Sequence, residues 1–242
     1  MKSRITKLVT VAVVTALAAI SILRLRSNAA ADQDSRQSVV GSESGRVPLK
    51  LELPQAVFEG TEKDIRVANL RKLDKGVRPP FLVPVGTKNV ALGKPVVASD
   101  AEPIIGEIDL ITDGDKEAAD GSYVELAPLL QHVTIDLESP HEIFAVIVWH
   151  FHKEARAYLD VIVQTADDAD FTANVTTLFN NDIDNSAGLG VGTDMHYVET
   201  YKGELIDAKA VKARYVRLYS SGSSYDDFNH YIEVEVYGKP AG

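Results

Sequence analysis

Asp113-Gly114-Asp115 sets two carboxylates two positions apart around a glycine, a spacing that lets both turn inward around one hard cation. Calcium takes about six to eight oxygens, and loops supply them by mixing Asp side chains with backbone carbonyls. The same residues are also ordinary tight-turn chemistry. A second acidic run, Asn180-Asn-Asp182-Ile-Asp184-Asn-Ser186, precedes Gly188-Leu-Gly-Val-Gly-Thr-Asp194. Its oxygen-bearing side chains at Asn180, Asp182 and Asp184 alternate as in a calcium loop, but the spacing matches no EF-hand and the closing glutamate is missing. It reads as a second ion loop, a sugar-contacting loop or a solvated glycine-rich hairpin.

His150 and His152 flank Phe151, so on a strand they share a face, and with His196 or His230 they could ligate a metal. A cupin-like metalloenzyme would use such a pair. There the glutamate stands several residues further on, whereas Glu154 follows His152 by only two. The other use of imidazoles is to hydrogen-bond hydroxyls. Sugar recognition needs a flat aromatic ring with planar polar groups beside it. Trp149, His150, His152, Arg156 and Tyr158 supply that mixture at one strand end. Tyr225, Asp226, Asp227, Phe228, Asn229 and His230 supply it again in a later loop. Trp149 closes an apolar run and suits a core position as well, and Arg217 on a strand suits pairing with a nearby acid. The sequence contains no Gly-x-Ser-x-Gly elbow, no His-Glu-x-x-His and no phosphate-cradling glycine loop.

These residues sit on or between strand patterns. Gln131–Leu137 alternates, with Val133, Ile135 and Leu137 on one side, and Ile143–Trp149 is apolar throughout, as a strand buried on both faces would be. Leu159–Thr165, Arg214–Tyr219 and Tyr231–Tyr237 alternate again, separated by loops rich in Asp, Asn, Gly and Ser. Many short strands with turn chemistry between them predict an all-β jelly-roll β-sandwich.

Asn89-Val-Ala-Leu-Gly-Lys-Pro95 in front, the Asp113-Gly-Asp115 turn, and Tyr231-Ile-Glu-Val-Glu-Val-Tyr-Gly238 at the back together resemble the opening, calcium loop and closing strand of a discoidin-like domain. This is the coagulation factor 5/8 C-terminal family, galactose-binding-like modules that bind sugars, lipids or proteins and catalyse nothing. The resemblance implies a structural calcium held by the Leu110 carbonyl, the Asp113 and Asp115 side chains, the Ile232 carbonyl and Glu233. Where the family places a Thr or Ser about five residues after the first Asp, this chain has Ala118; Ser122 is the substitute that a longer loop would offer.

The predicted organisation is an export signal over 1–31, a linker over 32–45, an extended Pro-containing arm over 46–88, the sandwich over 89–238 and a short tail over 239–242. Lys2, Arg4 and Lys7, the apolar run Leu8–Leu23 and Asn28-Ala-Ala-Ala31 make the signal. Arg24 and Arg26 suit a retained membrane anchor too, although the 16-residue run is short of the ~20 a span needs. In the arm, Val47, Leu49, Leu51 and Leu53 alternate like a strand, while Pro54, Pro79, Pro80 and Pro84 exclude a long helix.

Charge divides the same way. Residues 89–242 hold 27 acidic against 10 basic side chains, and residues 46–88 hold 9 basic against 5 acidic. An acidic sandwich repels nucleic acid and anionic lipid. With no cysteine, disulfides and thiolate metal sites are excluded. The function expected is a non-catalytic extracellular module that binds carbohydrate or a cell-surface polymer. The alternative is a structural adhesion module contacting envelope proteins, with the membrane involved only through an uncleaved N-terminal segment.

Overall fold

The computed structural model describes residues 45–242, so the export signal and all but the last residue of the linker lie outside the described residues. Two compact units are present. In the small one, β1 (Arg46–Pro48) pairs antiparallel with β2 (Leu82–Pro84). The alternation expected to extend to Leu53 forms a strand only as far as Pro48, after which a single Leu49 N–H still donates to Phe81 O at 2.7 Å.

The large unit contains residues 49–81 and 86–242. Its strands are β3 (Lys88–Asn89), β4 (Val96–Ala98), β5 (Val124–Leu126), β6 (Gln131–Trp149), β7 (Ile162–Ala166), β8 (Thr176–Asn180), β9 (Glu204–Ser220), β10 (Asn229–Tyr231) and β11 (Glu233–Pro240). The order β3-β11-β6-β9-β7-β8 forms the main sheet, β4 adds to β6, and β5 pairs β10 separately. Every ladder between these strands is antiparallel, so the fold is the all-β sandwich that the strand patterns predict. The closing strand runs to Pro240, two residues into the segment read as a tail.

Two long strands organise it. β6 breaks register with β9 between Asp136 and His141, where Glu138 adopts a left-handed φ of 66°. Its first part pairs β4 and its second part pairs β11. Val133, Ile135 and Leu137 point together into the main core, as their alternation requires. In the second part Val146 and Val148 join that core, while Ala145, Ile147 and Trp149 form another cluster on the opposite face with Ile232 and Tyr237. Leu49, Leu51 and Phe81 from the arm pack on this second cluster. That cover explains why the strand is apolar on both faces. Further along the arm, Val67, Leu70 and Leu73 pack with Ile65 against Ala157 and Val198. Arg71 also holds Glu204 with two guanidinium nitrogens, at 3.0 and 2.7 Å.

Candidate functional site

Beyond Trp149 the chain leaves β6 as a loop, and before β10 it forms a second one. The backbone laces the two together: Leu159 N–H donates to Gly222 O at 3.0 Å, Ser221 N–H to Leu159 O at 2.9 Å, and Ser224 N–H to Ala157 O at 2.8 Å. The lacing brings Arg156 under Tyr225. The Arg156 guanidinium lies 4.7 Å from the Tyr225 ring centre and 5.1 Å from that of Phe151. Its nitrogens bond Asp226 at 3.2 Å and Glu154. Cation–π attraction and two carboxylates thus hold one planar cation, whose side chain is 4% exposed. Tyr225 itself is 68% exposed. One face of its ring rests on Arg156 and the other meets water, next to the exposed Asp227.

A second layer supports this platform. Tyr123 packs on Phe151 with ring centres 4.9 Å apart and on His230 at 5.9 Å. The β5–β10 register places His230 opposite Glu125, and His230 Nε2 lies 3.0 Å from the Glu125 carboxylate. Burial pushes His230 down to about 4, so the ring is neutral near pH 7, and burial also raises Glu125. Phe151, Tyr123 and Glu125 are additions to the residues expected from sequence. No local spacing announces them, because Glu125 and Tyr123 reach the site only through the long-range β5–β10 pairing.

Several expected ligand contacts are enclosed instead. Trp149 has no exposed surface, its indole N–H donates to Tyr201 O at 3.0 Å, and Gly203 presses on its ring. It is a core residue, and this corrects its reading as a sugar platform. His150, His152, Tyr158 and Asn229 are also buried. His150 Nδ1 lies 2.7 Å from Glu199 and its ring stacks on Tyr158 at 4.4 Å, whereas His152 Nε2 lies 3.0 Å from Lys116 O. The two histidines therefore serve different partners, and the shared face expected of a strand is lost because β6 ends at Trp149. Among the described residues neither joins a group of three possible metal ligands. Asn229 donates to Ala127 O and Leu129 O and so anchors the loop from behind. Among the described residues Arg217 pairs with no acid: it donates to Thr134 Oγ1 at 2.7 Å and covers the Phe171 ring at 4.0 Å, while Arg214 takes Asp136.

The Asp113 loop does meet the last strand. Leu110 lies in the middle of a 3₁₀ turn (Ile108–Thr112), Gly114 follows at φ 92°, and the Gly114 N–H donates to Glu233 Oε2 at 3.1 Å. Asp113 and Asp115 are exposed, and each accepts a backbone N–H two residues on. Lys116 reaches Gly114 O at 3.2 Å and Glu235 at 2.9 Å. Glu233 is fully buried, its Oε1 has no partner, and burial pushes its carboxyl up to about 9. The orphaned buried oxygen of Glu233 is a hard donor of the kind calcium takes, but among the described residues the Asp113, Asp115 and Glu233 carboxylates do not gather into a group of three possible ligands. Ser122 is half-buried nearby in sequence, its N–H on Ala119 O, and the Ile232 N–H is held by Trp149 O.

In the other acidic loop, Asp160, Asp182 and Asp184 bring carboxylate oxygens within 4.8 Å of one another. Asp182 is buried and accepts from the N–H groups of Asp184, Ser186 and Ala187. Asn180 Oδ1 accepts from Asp182 N–H. These bonds make Asp182 the organiser of its own loop.

No family model matches the sequence, and no curated protein matches it. Similar solved structures include a family 89 glycoside hydrolase from Clostridium perfringens in complex with GlcNAc-alpha-1,4-galactose, at 20% identity and a TM-score of 0.47, covering 64% of this chain and 15% of that one. A chitosan-binding module of a chitosanase/glucanase from Paenibacillus sp. IK-5 matches at 21% identity and a TM-score of 0.42, covering 62% and 99%. A fucose-binding module from Streptococcus pneumoniae matches at 18% and 0.42, covering 62% and 97%. The chain thus spans under a sixth of the hydrolase. These are likenesses of fold.

Proposed function

We propose that this protein is a non-catalytic carbohydrate-binding module and that the open face of Tyr225 receives a sugar ring. The observation that carries the reading is the Tyr225–Arg156 stack. A pyranose presents an apolar face to an aromatic ring and hydroxyls around its edge. Tyr225 offers the ring, already held from below, so little side-chain entropy remains to be lost on binding. Asp226, Asp227 and Glu154 offer acceptors at its margin. The neutral His230 and the clamped Arg156 keep their protons and charges committed inward, which suits holding a ligand and leaves no free acid–base pair aimed outward. A calcium ion at Glu233, Asp113, Asp115 and Leu110 is part of the same proposal, in a structural role. Export to the cell surface, through the N-terminal segment, is the setting in which such a module meets polysaccharide.

Glycan-array binding with the intact chain tests the reading. Wild-type protein binds a defined set of saccharides, and Tyr225→Ala loses them while melting at an unchanged temperature. Equal binding by both proteins would move the site elsewhere. Absence of glycan binding together with a stoichiometric envelope protein partner would favour the adhesion reading.

A further inference from the structure

The arm builds a cavity of ≈ 430 Å³ with residues 197–205, and Tyr225 is not among its lining residues. That size lies within the range of about 300–1,000 Å³ common for small-ligand sites. Its wall includes Arg71, Lys72, Arg78 and Lys202, with Phe81 and Leu205 as apolar surface. Three acids, Asp74, Glu199 and Glu204, share that wall with the four cations, which leaves one formal positive charge in excess. Glu204 is held bidentately by Arg71, Asp74 accepts the Gly76 N–H at 2.8 Å, and Glu199 faces His150.

Arg78 is the odd residue. It is half-buried, and its guanidinium donates to the carbonyls of Lys202, at 2.8 Å, and Gly203. Carbonyls satisfy hydrogen bonds but do not neutralise a charge. Burial disfavours the Arg78 cation, Glu204 offsets this in part, and Arg71 adds repulsion of like sign. A cation in this state gains from an incoming anion what it lacks within the fold.

We infer that this cavity is a second binding site, for a saccharide that carries a carboxylate. Arg78 would take the carboxylate, Lys72 and Lys202 would add positive field, and Phe81 and Leu205 would face the ring. The saccharide half rests on the carbohydrate reading above; the anion half rests on the charge distribution alone.

Isothermal titration of the full chain with a uronic-acid tetrasaccharide, and with the same oligomer methyl-esterified, tests it. The acid form binds, and esterification weakens binding by about tenfold or more, as expected for losing one charged hydrogen-bonded contact. Arg78→Gln has the same effect. Because Arg78 also ties down two carbonyls, Lys72→Glu serves as a charge variant, expected to weaken the acid form by about tenfold without changing the melt. Tyr225→Ala leaves this binding intact. Equal affinity for acid and ester, or unchanged affinity in both cavity variants, would overturn the site while Tyr225-dependent glycan binding could stand. Binding of citrate that depends on Arg78, with uronate ignored, would overturn the saccharide assignment and the anion site would remain.

Discussion

Glu233 is sealed from water with one carboxylate oxygen unpaired, and such a group must be neutralised by a proton or by a cation. The two options differ with pH. Burial raises its folded value to about 9 against an ordinary 4.5, so the folded chain keeps a proton that the unfolded chain releases across that window. Stability therefore falls as pH rises from 4.5 to 9. His230 acts in the opposite sense, since its folded value is about 4 and its ordinary one 6.5, and that stability is lost as pH falls through this range. Above pH 6.5 the Glu233 effect runs without this offset, at up to about 1.4 kcal/mol per pH unit. In urea titrations with chelator, stability should drop from pH 6.5 to 8.5, and Glu233→Gln should flatten the drop. Calcium should stabilise the wild type more at pH 8.5 than at 6.5. A calcium-insensitive midpoint at both values would remove the ion. The Asp113–Glu233 relation was legible only through the bracketing motifs, because Gly114 and Glu233 are 119 residues apart. That Glu233 is sealed in, and Lys116 beside it, was not legible from residue types at all.

At the level of elements, β6 shows what alternation can and cannot tell. Val133, Ile135 and Leu137 declared their face, and the run Ile143–Trp149 declared burial on both faces. It could not declare that the second cover would be the arm. Phe81 packs there with Leu49 and Leu51, so Phe81→Ala should destabilise the protein by about 2 kcal/mol, less than a fully enclosed Phe because it stays partly exposed. Unchanged chemical denaturation would mean the arm is not part of the cooperative unit. Trp149 teaches the complementary lesson: a lone tryptophan at a strand end reads as a binding platform until its contact with Gly203 is seen. Gly203 sits at φ 62°, and a Cβ there would lie 2.6 Å from the indole. Gly203→Ala should therefore cost about 2 kcal/mol or more, through backbone strain and overpacking together, and lower the melting temperature. The binding face was half legible. Arg156 and Tyr225 were both visible as chemistry, but their stacking depends on lacing between loops about 65 residues apart, which no local pattern encodes.

For the molecule as a whole, the charge asymmetry divides the arm from the sandwich. The acidic sandwich carries a basic arm, and the arm's cations do not all vanish into ion pairs: Arg71 meets Glu204, while Arg78 donates to backbone carbonyls, as does Lys202 of the sandwich. The sandwich end holds Tyr225 on its clamped cation, and the arm side holds the cavity. On the proposed reading the two sites would hold an extended polymer at two points, and the central proposal is the Tyr225 platform. The most direct test is saccharide affinity of the full chain, wild type against Tyr225→Ala, with thermal melts of both. Loss of the flat ring should weaken binding by about tenfold or more, as removal of an aromatic anchor commonly does, at an unchanged melting temperature. Equal affinity in the two proteins, or no saccharide bound by either, would contradict the account.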